Sequence, residues 1–469
     1  MQVSELGGGT GAEWVSTSAA GGLRLPPELM PWVPEKADFG AMGERRMGLK
    51  ISVIGLGKLG LPLATMLAQK HDVIGVDKDE GLVRSINQGE IETFEPSLAH
   101  NLAAVRDSLS ATMDAEYAAW ETDLSFIVVP TPSLPGGRFS LGFVQVALEP
   151  IVRTLKSRED HFPHTIALVS TVSPGSCRYL YKKLLAAVRH ERFTLVYNPE
   201  FIALGSTVEG MREPDSVLYG VKDPSVYSGL SVPACEVAYN GVVDSPPAFI
   251  MTWEEAEWAK LLLNCTLSAK ASLANQYAQT LFQAGLDPKN VLDFIGKDHR
   301  IGRAFFGAGP QPGGTCLPRD LRAAKADSDI PILEEAHRMY EEEPERLLNA
   351  VESVHEKLNW RVGVLGMSYK KGVPIYEETL GLRLLDELVR REIPFMAYDP
   401  FDCPGVCQDK LEHVLEWANV VVIALPEKEY KQVCFYDNVT VVVDPWGLIP
   451  PKKRGSFHYI GAGGAVWTK

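Results

Sequence analysis

The stretch GPQPGGTCLPRD, residues 309 to 320, sets a thiol, Cys316, in a bend of three glycines and three prolines, with the carboxylate of Asp320 four residues on. A cysteine so placed is either a small apolar filler in a tight corner or a nucleophile held out for reaction. Upstream, Lys260 and Asn264 stand four apart in a helical segment, so an ammonium and an amide project from one face. In isolation such a pair is equally a solvated lysine beside a surface amide. A third constellation, Gly55-Leu-Gly57-Lys58-Leu59-Gly60, matches G-x-G-x-x-G and precedes Asp77 by 22 residues. Glycines at that spacing let backbone approach a pyrophosphate, and the acid accepts hydrogen bonds from an adenosine ribose. The acid disfavours a 2′-phosphate, so NAD is the expected dinucleotide.

These groups need a scaffold, and the chain spells one out. KISVIGLG is a continuous apolar run ending in glycine, the mark of a strand buried on both faces. KLGLPLATMLAQK reads as the helix after it and DVIGVD as the next strand. LSFIVVPTP (124–132), HTIALVSTV (164–172) and FTLVYNPEF (193–201) repeat the buried-strand signature, with helical stretches such as CRYLYKKLLAAVRH between some of them. Alternating strands and helices predict a doubly wound parallel sheet over 49–240. From Thr252 to Asp287 no proline interrupts a helical pattern that opens on a threonine cap with acids in its first turn. More helix follows to about 345. RVGVLGMSY, FMAYDP, VVVIALP and VTVVVDPW then build a second α/β unit over 346–469. The expected organisation is a flexible extension (1–48), a dinucleotide-binding unit (49–240), a central helical unit carrying Cys316 (241–345) and a C-terminal α/β unit (346–469).

Composition narrows the classes. The chain has 469 residues, 45% of them hydrophobic, and a net charge of −14. No basic excess exists to neutralise a nucleic-acid backbone, so any phosphate must be held locally by helix N-termini or single cations. Seven scattered cysteines without a CxxC pair fit a reduced, cytoplasmic protein, and Cys403 and Cys407 read as loop residues rather than metal ligands. No metal site and no membrane span are expected.

VIGLGKLGLPLA, VVPTPS, STVSPG, YNPEF, EAEWAKLLLN, DHRIGR and GGTCLPRD occur in the order found in the UDP-glucose/GDP-mannose dehydrogenase family, which the chain resembles over roughly 49–450. The resemblance implies two Rossmann-like domains joined by a long helix that also makes a homodimer. It implies double oxidation of a nucleotide-sugar C6 alcohol to the carboxylate with NAD, most simply UDP-glucose to UDP-glucuronate. By the same resemblance Cys316 is the nucleophile, passing through a thiohemiacetal and a thioester. Lys260 and Asn264 stabilise oxyanion charge, Asp320 and Thr171 hold or activate water, and Glu200 serves thioester hydrolysis. Gly55, Gly57, Lys58, Leu59, Gly60, Asp77, Thr131 and Thr171 would bind the cofactor. Glu200, Phe201, Lys260, Asn264, Arg300, Gly313 and Lys370 would bind the sugar nucleotide, Arg300 reaching the partner subunit's site, with Tyr197 and Asn198 as further contacts.

Three positions depart from the family pattern. Leu204 replaces a second glutamate, GAGPQPGG stands where GYGG is common, and Glu377 falls where an arginine usually lies near the pyrophosphate. A carboxylate there repels a pyrophosphate, so that contact is replaced or the ligand differs. The alternatives to UDP-glucose oxidation are therefore the same chemistry on another nucleotide hexose (GDP-mannose, dTDP-glucose or a UDP-amino sugar), a two-electron hydroxyacid dehydrogenase, or a non-catalytic nucleotide-sugar binder.

Overall fold

The computed structural model describes residues 49–467 except 159–162, 228–232, 245–246, 357–359, 402 and 404. The extension expected over 1–48 lies outside the described residues. The first sheet contains β1 (Lys50–Ile54), β2 (Asp72–Val76), β3 (Leu109–Thr112), β4 (Leu124–Ile127), β5 (His164–Leu168), β6 (Phe193–Tyr197), β7 (Val217–Val221) and β8 (Ala248–Thr252). Their spatial order is β3-β2-β1-β4-β5-β6-β7-β8. All neighbours are parallel except β6 and β7, which meet at Tyr197 and Gly220. Helices cover both faces, so β4 and β5 are buried along their whole length, as their unbroken apolar runs require.

The order reverses between β1 and β4, and parallel sheets bind ligands beyond the strand ends at such a switch point. The glycine loop follows β1 and VVPTP follows β4, so both signature loops flank one crevice. Three strands, β3, β7 and β8, carry no strong pattern in the sequence, and β8 extends this sheet past residue 240.

The second sheet is all parallel, with β9 (Val362–Leu365), β10 (Phe395–Tyr398), β11 (Val420–Ile423), β12 (Val441–Val443) and β13 (His458–Ile460) in the order β10-β9-β11-β12-β13. A 31-residue helix, Trp253–Gln283, runs between the sheets. Its N-terminus is fixed by a capping box. The Thr252 hydroxyl accepts from the Glu255 N–H, and the Glu255 carboxylate accepts from the Thr252 N–H at 2.8 Å. One stripe of this helix, including Trp253, Ala256, Lys260, Asn264, Ala278 and Phe282, is buried, so it meets both units. At its start the Trp253 indole donates to the Leu195 carbonyl of β6. At its end Phe282 lies against Tyr459 of β13 and against Arg454, whose guanidinium is buried among Phe282, Tyr459 and Trp467. Stacking on three rings offsets part of the cost of burying that cation. The helix thus holds a fixed ruler between the two sheets, and Lys260 and Asn264 sit about two and three turns from its start.

Candidate active site

On the cofactor side the three glycines do different work. Gly55 has φ +95°, and a Cβ there would meet the Val128 carbonyl oxygen at 2.3 Å. A Cβ on Gly60 would strike the Gly55 carbonyl at 1.8 Å, whereas one on Gly57 meets nothing within 4 Å. The first and third glycines therefore let strand and helix pack, and the second leaves open space over the N-terminus of helix Gly60–Leu67. That opening suits a pyrophosphate. Asp77, at the tip of β2, accepts from the Leu56 N–H at 2.8 Å and the Asp79 N–H at 3.1 Å, which fixes its carboxylate beside the loop. Leu59 is half-buried and Lys58 exposed. Across the crevice the Thr131 hydroxyl donates to the Thr171 carbonyl at 2.7 Å. Ser170, which sequence reasoning passed over, ties Val129 to the same strand end.

On the thiol side, Cys316 is exposed at the head of helix Leu317–Ala326. Its carbonyl accepts the Asp320 N–H at 2.9 Å, so Asp320 follows the thiol by one helical turn. Asp320 is buried and accepts from Asn264 Nδ2 at 2.6 Å. Burial pushes its carboxyl above the usual range, against the opposing pull of Lys260 and the Asn264 hydrogen bond. Lys260 donates to the Glu200 carbonyl at 2.9 Å and stands 4.8 Å from the centre of the Phe201 ring. Glu200 is also raised by burial, with Tyr239 and Lys260 opposing. Lys260, Asn264, Asp320, Glu200 and Phe201, 120 residues apart at the extremes of the sequence, thus form one cluster.

The unusual loop before Cys316 is anchored rather than loose. The Gly309 N–H donates to Asn275 at 3.1 Å and the Gln311 N–H to the buried Glu343 at 2.6 Å. Gly313 is needed because a Cβ would lie 2.4 Å from the Glu378 carbonyl. Glu378, itself at φ +55°, pairs through both carboxylate oxygens with Arg322 of the Cys316 helix and accepts from the Tyr340 hydroxyl at 2.9 Å. The Tyr369 ring of the second unit packs against Gly314, two residues before the thiol, and burial, with Cys316 and Glu95, raises its hydroxyl. Arg322, Tyr340, Glu343 and Glu378 escaped sequence reasoning because each acts on a partner at least 32 residues away.

The remaining predicted residues are dispersed. Lys370 donates to the Leu204 carbonyl at 3.4 Å, joining the two units through backbone where the family has a carboxylate. Arg300 is exposed and paired with Asp298 at 2.7 Å, outside the cluster. Tyr197 is fully buried in β6, and Asn198 is buried too, its amide donating to the Leu218 carbonyl. Glu377 faces Lys58 of the glycine loop at 3.7 Å. Among the described residues no group of three or more His, Cys, Asp or Glu could hold a metal ion, and no helix is long and apolar enough to cross a membrane.

A glycine loop at the switch point of a parallel sheet, with an acid held beside it at the end of the next strand, is the layout of a dinucleotide-binding oxidoreductase. The NAD-binding-domain model of the UDP-glucose/GDP-mannose dehydrogenase family matches residues 49–232, and that family's central-domain model matches 254–341. The UDP-glucose 6-dehydrogenase AglM of Haloferax volcanii is 32% identical over 366 residues, covering 75% of this chain and 83% of that protein. A GDP-mannose 6-dehydrogenase of Pseudomonas aeruginosa is 28% identical, covering 75% and 81%. The solved UDP-glucose dehydrogenase of Pyrobaculum islandicum superposes with a TM-score of 0.78 at 27% identity, covering 92% of this chain and all of that one. The chain belongs to the UDP-glucose/GDP-mannose dehydrogenase family and is an NAD-dependent nucleotide-sugar 6-dehydrogenase by that membership.

Proposed function

We propose that this protein converts UDP-glucose to UDP-glucuronate in two successive oxidations at C6, with Cys316 as the covalent holding point. The observation that carries the reading is the exposed thiol on the first turn of a helix whose fourth residue, Asp320, is locked to Asn264. Bound NAD supplies a hydride acceptor for each oxidation. Gly57 and Asp77 would hold it, the former by its open backbone and the latter by its carboxylate beside the loop.

The chain's own groups account for the rest. Lys260 and Asn264, one turn apart, stabilise the negative oxygen that develops as the C6 hydroxyl loses its proton. The Cys316 thiol adds to the aldehyde, forming a C–S bond, and the resulting thiohemiacetal is a new carbinol able to lose a second hydride. Water then cleaves the thioester, regenerating the thiol and releasing the carboxylate. Asp320, with Thr171, would orient and deprotonate that water, and Glu200 serves the same half-reaction. The overall balance is four electrons out, one water in and a carboxylate product. Phe201 of the first unit, Gly313 of the central unit and Lys370 of the second would contact the sugar nucleotide. Exposed apolar side chains on the long helix and after it, Leu273, Tyr277 and Phe294 among them, support a homodimer in which Arg300 serves the partner's site.

The test is stoichiometry. A panel of UDP-, GDP- and dTDP-hexoses is offered with excess NAD, and NADH is counted against sugar consumed. About two NADH per sugar, with UDP-glucose preferred, is expected from the four-electron scheme. One NADH per sugar would indicate a two-electron dehydrogenase, and preference for GDP-mannose would move the substrate within the family.

Glu377 yields a narrower expectation. Its pairing with Lys58 keeps that cation occupied at the mouth of the cofactor loop. Both side chains are exposed, so the pair adds little to stability. Glu377→Gln is expected to free Lys58 for the cofactor phosphates and lower the KM for NAD by about two- to fivefold at low ionic strength, with the gain fading in high salt. Initial-rate kinetics at two salt concentrations measure it.

A further inference from the structure

Tyr239, at the end of helix Ala234–Tyr239, belongs to no motif, yet its hydroxyl lies 2.8 Å from Glu200 Oε1 and 2.9 Å from Asn198 Oδ1. Both neighbours are nominal acceptors, and one hydroxyl carries one hydrogen. The Asn198 orientation is settled by its other end, where Nδ2 donates to the Leu218 carbonyl at 3.2 Å. Flipping the amide would set its oxygen against that carbonyl, so Oδ1 must point at Tyr239 and can only accept. If the tyrosine proton turns to Glu200, a buried Asn198 oxygen is left facing a hydroxyl oxygen. If it turns to Asn198, the tyrosine lone pair faces Glu200, which is attractive only when Glu200 carries a proton. Only the neutral acid satisfies every group, as a chain from Glu200 O–H to Tyr239 O–H to Asn198 Oδ1, and from Asn198 Nδ2 to the Leu218 carbonyl.

We propose that Tyr239 is a positioning residue that holds Glu200 as the neutral carboxylic acid in the resting protein, by accepting its proton while donating to Asn198. A Tyr239 hydroxyl donating to the carboxylate would instead hold Glu200 lower; the donor count excludes that arrangement, and burial of Glu200 favours the neutral acid. Lys260, the cation facing Glu200 from the long helix, gives one of its three N–H groups to the Glu200 backbone carbonyl, and its charge pulls against the neutral acid while burial, the larger effect, favours it. Tyr219 faces Glu200 from β7 and adds no positive charge. Tyr239 is itself held above the usual tyrosine range by burial, so its hydroxyl stays protonated. A neutral Glu200 places no second negative charge near Asp320, and it becomes a base for water only after giving up its proton. The relay rests on the reading that Glu200 serves thioester hydrolysis only for this last consequence, under which hydrolysis quickens as pH rises through the Glu200 midpoint.

The experiment is an infrared pH titration of the full-length protein, with Glu200→Gln used to assign the band. Wild type should show a carboxylic-acid stretch, absent from Glu200→Gln, that persists at about pH 6, above the ordinary glutamate range. In Tyr239→Phe the acid loses its acceptor, so its midpoint should fall by about one pH unit. A midpoint that rises or stays put would mean that Tyr239 donates to a carboxylate, and the proposal fails. Thermal stability gives a check that does not depend on the phenylalanine variant folding. Glu200→Gln offers an N–H where the acid offers an O–H and should melt with wild type, and a large drop would again overturn the relay. If the band and shift appear but Glu200→Gln forms sugar acid at the wild-type rate, the hydrolytic role falls and the relay stands. If the band is absent while Glu200→Gln accumulates a sugar thioester on the protein, the reverse holds.

Discussion

Cys316→Ala is expected to abolish sugar-acid formation, lowering the steady-state rate by about 10³-fold or more, while NAD binding persists. The reason lies in the second oxidation. A free or hydrated aldehyde leaves the site between hydride transfers unless it is bonded to the protein, and no other described cysteine replaces this one. Cys177, Cys235, Cys265 and Cys403 are buried, and burial pushes the Cys265 thiol up to about 12. Cys316→Ser is the sharper variant, because a hydroxyl keeps the shape but releases a carboxylic ester far more slowly. Intact-mass spectrometry should then show a sugar adduct on the serine protein and none on the alanine protein. Full NADH yield from Cys316→Ala would remove the covalent scheme altogether.

The second large effect concerns Asp320. Asp320→Asn should lower turnover by about 10²- to 10⁴-fold, the range for a general base, with little change in KM for the nucleotide sugar. The pH dependence follows from the direction of its shift. Burial raises this carboxyl, so the charged form that catalysis needs is lost as pH falls through a value above the ordinary aspartate range. Stability runs the other way. The folded chain binds this proton more tightly than the unfolded chain, so Asp320 costs stability as pH rises from the ordinary value through the raised one, and the cost persists above it. Asp320→Asn escapes that cost, and its side-chain oxygen can still accept from Asn264. The variant is therefore expected to melt at or above wild type near neutral pH while being nearly inactive. Calorimetry beside a pH–rate profile tests both halves, and a variant that is inactive because it is unstable would refute this account.

Each of these expectations joins something legible in the chain to something that is not. The dinucleotide crevice was readable because its determinants are local. Gly55, Gly57 and Gly60 serve one turn between one strand and one helix, and Asp77 ends the next strand. The long helix was readable for the same reason, since its threonine cap, first-turn acids and lack of proline lie within a single segment. Cys316 and Asp320 share one helical turn, so their spacing alone places them together. The strands β7 and β8 were harder to see, because an antiparallel reversal within an alternating pattern leaves no periodic mark. Tyr239 and Glu378 left none either, since each is an ordinary residue whose meaning comes from a partner on another element.

Glu377 shows the limit most clearly. From the chain it is a charge in the wrong place, facing a phosphate that it should repel. In the fold it meets Lys58, 319 positions earlier, and the apparent misfit becomes one half of an ion pair. Residue type and short-range spacing established the chemistry available here: a thiol, a lysine–amide pair, a carboxylate and a dinucleotide loop. Tertiary structure decided which of these groups meet, which are buried, and therefore which proton each one holds. The physical reason is that reactivity depends on local charge and exclusion of water, and both are set by neighbours that only folding brings within hydrogen-bond distance.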